Sequence, residues 1–255
     1  MNSIFDSAEF NNNLFFPRPD QKATPAHAED HFIEVETPIK IHVRRYTNPA
    51  ASFTLLYFHG NGEIASDYDD LSGILSDLGA ELVAAEYRGY GKSDGTPTLR
   101  RALDDARRIY DELKAKGILK KSVCVMGRSL GSASAIELCS QYPEIACCVI
   151  ESGYADPIPL VERRGLKVDA ISPEDNATFN NSQKISKVSC PTLIMHGEDD
   201  FLISPAEAQL NHKNAGAKNK ALEILEGVGH NDMMMAQDGK YFLVLKNFWN
   251  SVFVG

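Results

Sequence analysis

Along this chain, short apolar runs alternate with segments whose hydrophobic residues recur at helical spacing. The runs are Phe53–Phe58, Leu82–Ala85, Val123–Met126, Ile145–Ile150, Thr192–His196 and Leu222–Leu225. Short runs of this kind, bounded by turn residues, predict buried strands. Between the first two, Glu63–Leu78 places Ile64, Leu71, Ile74, Leu75 and Leu78 at helical spacing and predicts one helix. Further helices are predicted over Leu99–Lys116, ending at Gly117, and over Leu130–Gln141, stopped before Pro143. Two more follow near Pro205–Lys213 and over Lys240–Phe253. Strands alternating with helices predict an α/β protein with a mostly parallel sheet covered on both faces. Two β-like runs, His31–Glu36 and Ile39–Arg45, come earlier and would add antiparallel strands at one edge.

Two segments depart from this rhythm. Residues 1–30, rich in Asn, Pro and Ala, read as an irregular arm, with Leu14-Phe15-Phe16-Pro17 packing on the body. Residues 31–255 then form one domain, interrupted by the segment Gly153–Val188. That segment is long, charged and punctuated by Pro157, Pro159 and Pro173. A connection of this length is usually functional or disordered. It reads as a short lid inserted between two strands, at about 153–188. Its run Pro157-Ile158-Pro159-Leu160-Val161 suits a pocket lining and a core equally well.

Composition narrows the function classes. The chain has 255 residues, 43% hydrophobic and 24% charged, which is long and apolar enough for a sizeable core without disulfides or metals. A formal net charge of −9 argues against a nucleic-acid partner, whose binding surface would be basic. No apolar run is long enough to cross a bilayer. Met1–Asp20 lacks a basic stretch followed by an apolar one, so no secretory signal is read and a cytoplasmic location is expected. The five cysteines form no C-x-x-C pair. They read as small buried hydrophobes in a reducing compartment rather than as disulfides or metal ligands.

The chemistry begins at Gly127-Arg128-Ser129-Leu130-Gly131, which follows a predicted strand and opens a predicted helix. This is G-x-S-x-G in the context that makes it a nucleophile elbow. The turn is strained, and glycine two residues away on either side lets backbone approach where a Cβ would clash. The following helix also aims N–H groups at developing negative charge. A serine at an ordinary helix cap is the bland alternative.

A serine nucleophile needs a base, and the base needs an orienting acid. His230 lies downstream in Gly227-Val228-Gly229-His230, just beyond the last predicted strand, whereas His212 sits on a predicted helix. Thr192–His196 runs into Gly197-Glu198-Asp199-Asp200, so Asp199 and Asp200 are both candidate acids. Glu151, ending the preceding strand, is a third.

The strand Phe53–Phe58 ends in His59-Gly60-Asn61-Gly62-Glu63, a small-residue loop able to aim a backbone N–H at an oxyanion. The second N–H would come from Leu130, the residue after the serine. The same loop, as Gly60-x-Gly62-x-x-Ala65, also matches a dinucleotide fingerprint, with Glu86 placed to bind a ribose. A NAD-dependent oxidoreductase is therefore a rival. Two strands precede this one, however, and the rival leaves Ser129, the acidic turn and His230 without a role. Gly89-Tyr90-Gly91-Lys92-Ser93 fails as a P-loop because Glu86 stands where its first glycine belongs. His27 and His31 lack a third ligand for a metal.

Four motifs in order, closed by His230, make the chain resemble the compact α/β-hydrolases. They are His59-Gly60-Asn61-Gly62, Tyr87-Arg88-Gly89-Tyr90-Gly91-Lys92-Ser93, Gly127-Arg128-Ser129-Leu130-Gly131 and His196-Gly197-x-x-Asp200. The resemblance spans about Phe53 to the C-terminus. It implies an α/β-hydrolase fold with Asp200 as the acid and Asn61 as one oxyanion donor. It implies esterase, thioesterase or deacylase chemistry on a small-molecule or acylated substrate, with no metal or organic cofactor. Some members remove acyl chains from proteins. A non-catalytic binding protein on the same scaffold is the other alternative, since fold alone does not imply function.

Overall fold

The computed structural model describes residues 3–168 and 170–253. Its centre is an eight-stranded sheet: β1 (Ala28–Glu36), β2 (Ile39–Tyr46), β3 (Phe53–Phe58), β4 (Ala80–Ala85), β5 (Val123–Arg128), β6 (Cys147–Glu151), β7 (Thr192–Gly197) and β8 (Lys220–Leu225). The spatial order is β1-β2-β4-β3-β5-β6-β7-β8. Pairings β1–β2 and β2–β4 are antiparallel, and the remaining five are parallel. Every residue of β3, β4, β5, β6 and β7 is buried, as continuous apolar runs covered on both faces require. Side chains of β3 alternate between two cores. Leu56 and Phe58 enter one, and Phe53, Leu55 and Tyr57 the other.

The first core is covered by α3 (Leu99–Ala115) and α4 (Ser132–Gln141), and the second by α2 (Leu71–Asp77) and α9 (Lys240–Phe253). α3 starts where Thr98 accepts the Arg101 N–H at 3.1 Å, and it buries Leu99, Leu103, Ala106, Tyr110 and Leu113 along one stripe. α4 is buried on nearly all sides, and its small residues Ser132, Ala133, Ser134 and Ala135 let it lie close to the sheet. Its buried Glu137 is paired by Lys184 and Arg107. α8 (Pro205–Asn214) lies beside β7.

The helix predicted over Glu63–Leu78 is not continuous. Ala65–Tyr68 forms a 3-10 turn, and α2 begins only at Leu71. Side chains there bind backbone that a helix would have used: Asp67 accepts the Ile64 N–H at 3.0 Å, and Glu63 accepts the Gly60 N–H at 2.7 Å. Ile64 and Leu75, which share a helical stripe in sequence, end in different cores, and Ile74 is exposed.

The arm is not irregular either. It carries a turn at Ile4–Asp6 and α1 (Ala8–Leu14), and β1 begins at Ala28. Ser7 caps α1 by accepting the Phe10 N–H at 3.1 Å. Asn11 is buried, donates to the Phe5 carbonyl at 2.9 Å and accepts the Leu99 N–H at 2.8 Å. An asparagine that reads as a loop former thus caps α3 from a distance. Phe5, Phe10, Leu14 and Phe15 join the first core, while Phe16 stays 51% exposed. The 153–188 insertion folds into α5 (Pro157–Glu162), α6 (Pro173–Phe179) and α7 (Asn181–Lys184), and its Val161, Phe179, Ile185 and Val188 are core.

Burial of Phe10 makes the arm part of the folding unit. Phe10→Ala is expected to cost about 3–5 kcal/mol in urea unfolding. A loss near zero would mean that the arm does not belong to the core.

Candidate active site

Ser129 follows the last residue of β5 and has φ +50°, a left-handed conformation for a non-glycine residue. Two close approaches hold it there. A Cβ on Gly127 would lie 2.2 Å from the Gly131 carbonyl oxygen, and one on Gly131 would lie 2.0 Å from the Phe58 carbonyl oxygen. Both spacings are far inside contact, so only glycine fits. The turn Ser129–Gly131 leads directly into α4, and Ser132 Oγ donates to the Ser129 carbonyl at 2.6 Å.

Two neighbouring loops bring up the other side chains. Asp200 follows β7 and His230 follows β8, adjacent parallel strands. The loops nearly touch, since a Cβ on Gly197 would meet the Val228 carbonyl oxygen at 2.4 Å. His230 Nε2 is 2.9 Å from Ser129 Oγ, and His230 Nδ1 is 2.6 Å from Asp200 Oδ2. All three residues are buried. Asp200 Oδ1 also accepts the N–H groups of Leu202 at 2.9 Å and Ile203 at 2.8 Å. Burial by itself would raise the Asp200 pKa. His196, His230 and the Ile203 N–H outweigh it and hold the carboxyl well below the usual carboxylate range.

Of the three candidate acids, only Asp200 meets His230. Asp199 is exposed, and its backbone N–H donates to Val228 at 3.0 Å. Glu151 is buried, accepts the Tyr241 hydroxyl at 2.7 Å and faces Arg128 Nε at 3.3 Å, and burial raises its pKa. Sequence reasoning gave His196 no role beyond its place in a motif. Its Nε2 faces both the Ile203 carbonyl at 2.8 Å and Asp200 at 3.1 Å, so that nitrogen carries the proton and braces the acid.

Arg128, inside the elbow, was also without an assigned role. It is buried and paired with Glu63, and its Nη2 donates to the His230 carbonyl at 2.8 Å and to Asn231 at 3.0 Å. Glu63 turns inward and accepts from the Gly60 N–H at 2.7 Å and the Tyr68 hydroxyl at 2.5 Å. One cation thus joins the loop after β3 to the loop after β8. Its position between Gly127 and Ser129 in the sequence carried no signal of this.

Asn61 is held by its side chain. Its Nδ2 donates to the Leu14 carbonyl at 2.7 Å, and its Oδ1 accepts from Phe16 N at 2.8 Å and Tyr90 Oη at 2.6 Å. Its backbone N–H has no hydrogen-bond partner among the described residues. Leu130 lines the same pocket as Asn61, Ser129 and His230. This pocket holds about 190 Å³, with apolar walls from Leu14, Phe16, Leu160, Leu202 and Ile203.

Glu86, which the dinucleotide reading needs at a ribose, is buried. Its oxygens accept from His59 Nε2 at 2.8 Å and the Ala65 N–H at 2.8 Å. Burial raises its pKa, but His59 and His42 outweigh that and hold it at about 2. The loop at Gly60–Gly62 also leads into a 3-10 turn rather than a helix N-terminus. His27 faces Ser72 Oγ at 3.3 Å, and among the described residues no group of three His, Cys, Asp or Glu is arranged to hold a metal ion.

A mostly parallel eight-stranded sheet, with a strained serine after its fifth strand, defines the α/β-hydrolase fold. Within that class the chain belongs to the hydrolase family described as serine aminopeptidase, S33, which matches residues 49–168 and 154–234. It is 31% identical over 211 residues to the alpha/beta hydrolase domain-containing protein 17B of Homo sapiens, covering 79% of this chain and 67% of that protein. It is 29% identical over 210 residues to protein 17C of Mus musculus, covering 78% of this chain and 60% of that one. Among solved structures, the Pyrococcus furiosus esterase Pf2001 superposes with a TM-score of 0.78 at 22% identity, over 94% of this chain and 100% of that chain. Est1E of Butyrivibrio proteoclasticus, solved with ferulic acid, gives 0.71 at 19% identity, over 88% and 100%. These two share the fold.

The elbow glycines differ in kind from those of ordinary turns. Gly131→Ala is expected to destabilise by about 3 kcal/mol or more, because backbone must move. Gly227→Ala meets nothing within 4 Å and strains only its φ of +68°, so about 1 kcal/mol is expected. Equal losses in urea unfolding would contradict the steric account.

Proposed function

We propose that this protein is a serine hydrolase that cleaves carboxylic esters or thioesters through an acyl-enzyme. The observation that carries the reading is the continuous hydrogen-bonded chain from Ser129 Oγ through His230 to Asp200, lying beside an apolar pocket. Ser129 Oγ attacks the carbonyl carbon while His230 Nε2 takes its proton. Asp200, held ionised by its neighbours, keeps the proton on His230 Nδ1 and stabilises the imidazolium as it forms. The N–H groups of Asn61 and Leu130 bind the oxyanion. His230 then returns its proton to the leaving alcohol or thiol. Water, deprotonated by His230, attacks the acyl carbon and frees Ser129.

The apolar walls take the acyl group. At about 190 Å³ the pocket is smaller than the ~300–1,000 Å³ of drug-sized ligand sites, which favours a short or slender acyl chain. Leu160, from the 153–188 insertion, forms part of the wall, and the insertion acts as a short lid. No described helix is long and apolar enough to cross a membrane. The five cysteines are free and buried, which suits a reducing compartment such as the cytoplasm.

Fluorophosphonate labelling and turnover of short p-nitrophenyl esters test this reading. Labelling is expected at Ser129 and is lost in Ser129→Ala together with activity. Asp200→Asn is expected to lower kcat by roughly 100- to 10,000-fold. Full activity in Ser129→Ala would overturn the mechanism.

A further inference from the structure

Two arginines line the pocket beside Ser129, and their charges are handled differently. Arg128 is buried between Glu63 and Glu151 and is neutralised in place. Arg164, on the insertion just after α5, forms no ion pair with any described residue. Its pKa is lowered by partial burial and by the like charge of Arg163 beside it. Arg163 has its own partners, Glu207 at 3.1 Å and the Leu202 carbonyl at 2.8 Å. Arg164 is nevertheless held. It donates to the Asn13 carbonyl, and its guanidinium carbon lies 5.2 Å from the centre of the Phe16 ring. A guanidinium carries five N–H donors, and with Arg164 exposed those not directed at Asn13 face solvent at the pocket rim.

The chain as a whole carries −9. In an acidic protein with 35 carboxylate side chains, a cation beside the candidate nucleophile with no carboxylate partner among the described residues has a ready use. We infer that Arg164 selects substrates carrying an anionic group, a carboxylate or phosphate, a few atoms from the scissile carbonyl. The inference rests on the reading of Ser129 as the nucleophile. Leu14, Leu160, Leu202 and Ile203 contact the apolar stretch of such a substrate, and the guanidinium takes its charged end, in the fork geometry that arginine offers an oxyanion. The arm contributes by fixing Arg164 through Asn13 and Phe16, which ties residues 13–16 to substrate choice.

Matched esters test the inference, and two arms separate the possible sources of the charge. The acyl arm compares mono-p-nitrophenyl glutarate with p-nitrophenyl pentanoate. The leaving-group arm compares the butanoate of 4-hydroxybenzoate with phenyl butanoate. In at least one arm the anionic ester is expected to have a kcat/KM about tenfold higher than its neutral match, about 1.4 kcal/mol. Arg164→Gln should abolish that ratio through KM, Arg164→Glu should invert it, and 0.5 M salt should erode it. A purely structural role for Arg164 would lower both members of each pair alike and keep their ratio. That result, or no anionic preference in either arm, overturns the inference while Ser129 labelling and ester turnover still stand. Absence of Ser129 labelling, by contrast, sinks the nucleophile reading, and this inference with it.

Discussion

Arg128 is the constraint on which the site depends. A buried guanidinium is costly unless its charge and donors are met, and breaking such a pair typically costs about 3–5 kcal/mol. Here Glu63 and Glu151 meet the charge, while the His230 carbonyl and Asn231 accept from Nη2. Glu63 in turn accepts the Gly60 N–H, just before Asn61. The cation therefore sets the separation of two loops that share no strand, the one carrying Asn61 and the one carrying His230. It does so from inside the elbow that carries Ser129.

The elbow itself stores strain. A non-glycine residue in the left-handed region costs of order 1–3 kcal/mol and persists only where its surroundings over-determine it. The contacts of Gly127 and Gly131 with neighbouring backbone supply that determination, and the buried first two turns of α4 behind them leave no room to relax. The strain lifts Ser129 Oγ out of the strand direction and towards His230.

Around this rigid centre, the pocket walls come from distant parts of the chain. Leu14 and Phe16 belong to the arm, Leu160 and Arg164 to the insertion, and Leu202 and Ile203 to the loop after β7. Leu14, Leu160 and Ile203 belong to the first core as well as to the pocket, whereas Phe16, Leu202 and Arg164 are exposed.

The strands, the helices α3, α4, α8 and α9 and the parallel character of the sheet were legible in the sequence, because a buried strand between two helical layers must be a continuous apolar run. The elbow was legible for a related reason: its glycines are demanded by contacts within five consecutive residues and one neighbouring strand. The fingerprint at Gly60–Gly62 was ambiguous, since small residues after a strand suit several chemistries. The helix over 63–78 was misread because Glu63 and Asp67 bind backbone locally, which hydrophobic spacing does not register. The residues alone left Asp199, Asp200 and Glu151 open and the family resemblance favoured Asp200, but its contact with His230 needed the fold. So did the turning of Glu63 to Arg128 and the use of Asn11 to cap α3. Each of these joins groups from 30 to 88 residues apart, through loops whose approach depends on sheet order. Local pattern in the chain determined the strands, four of the helices and the strained serine, and only the packing of the elements decided which charged side chains meet.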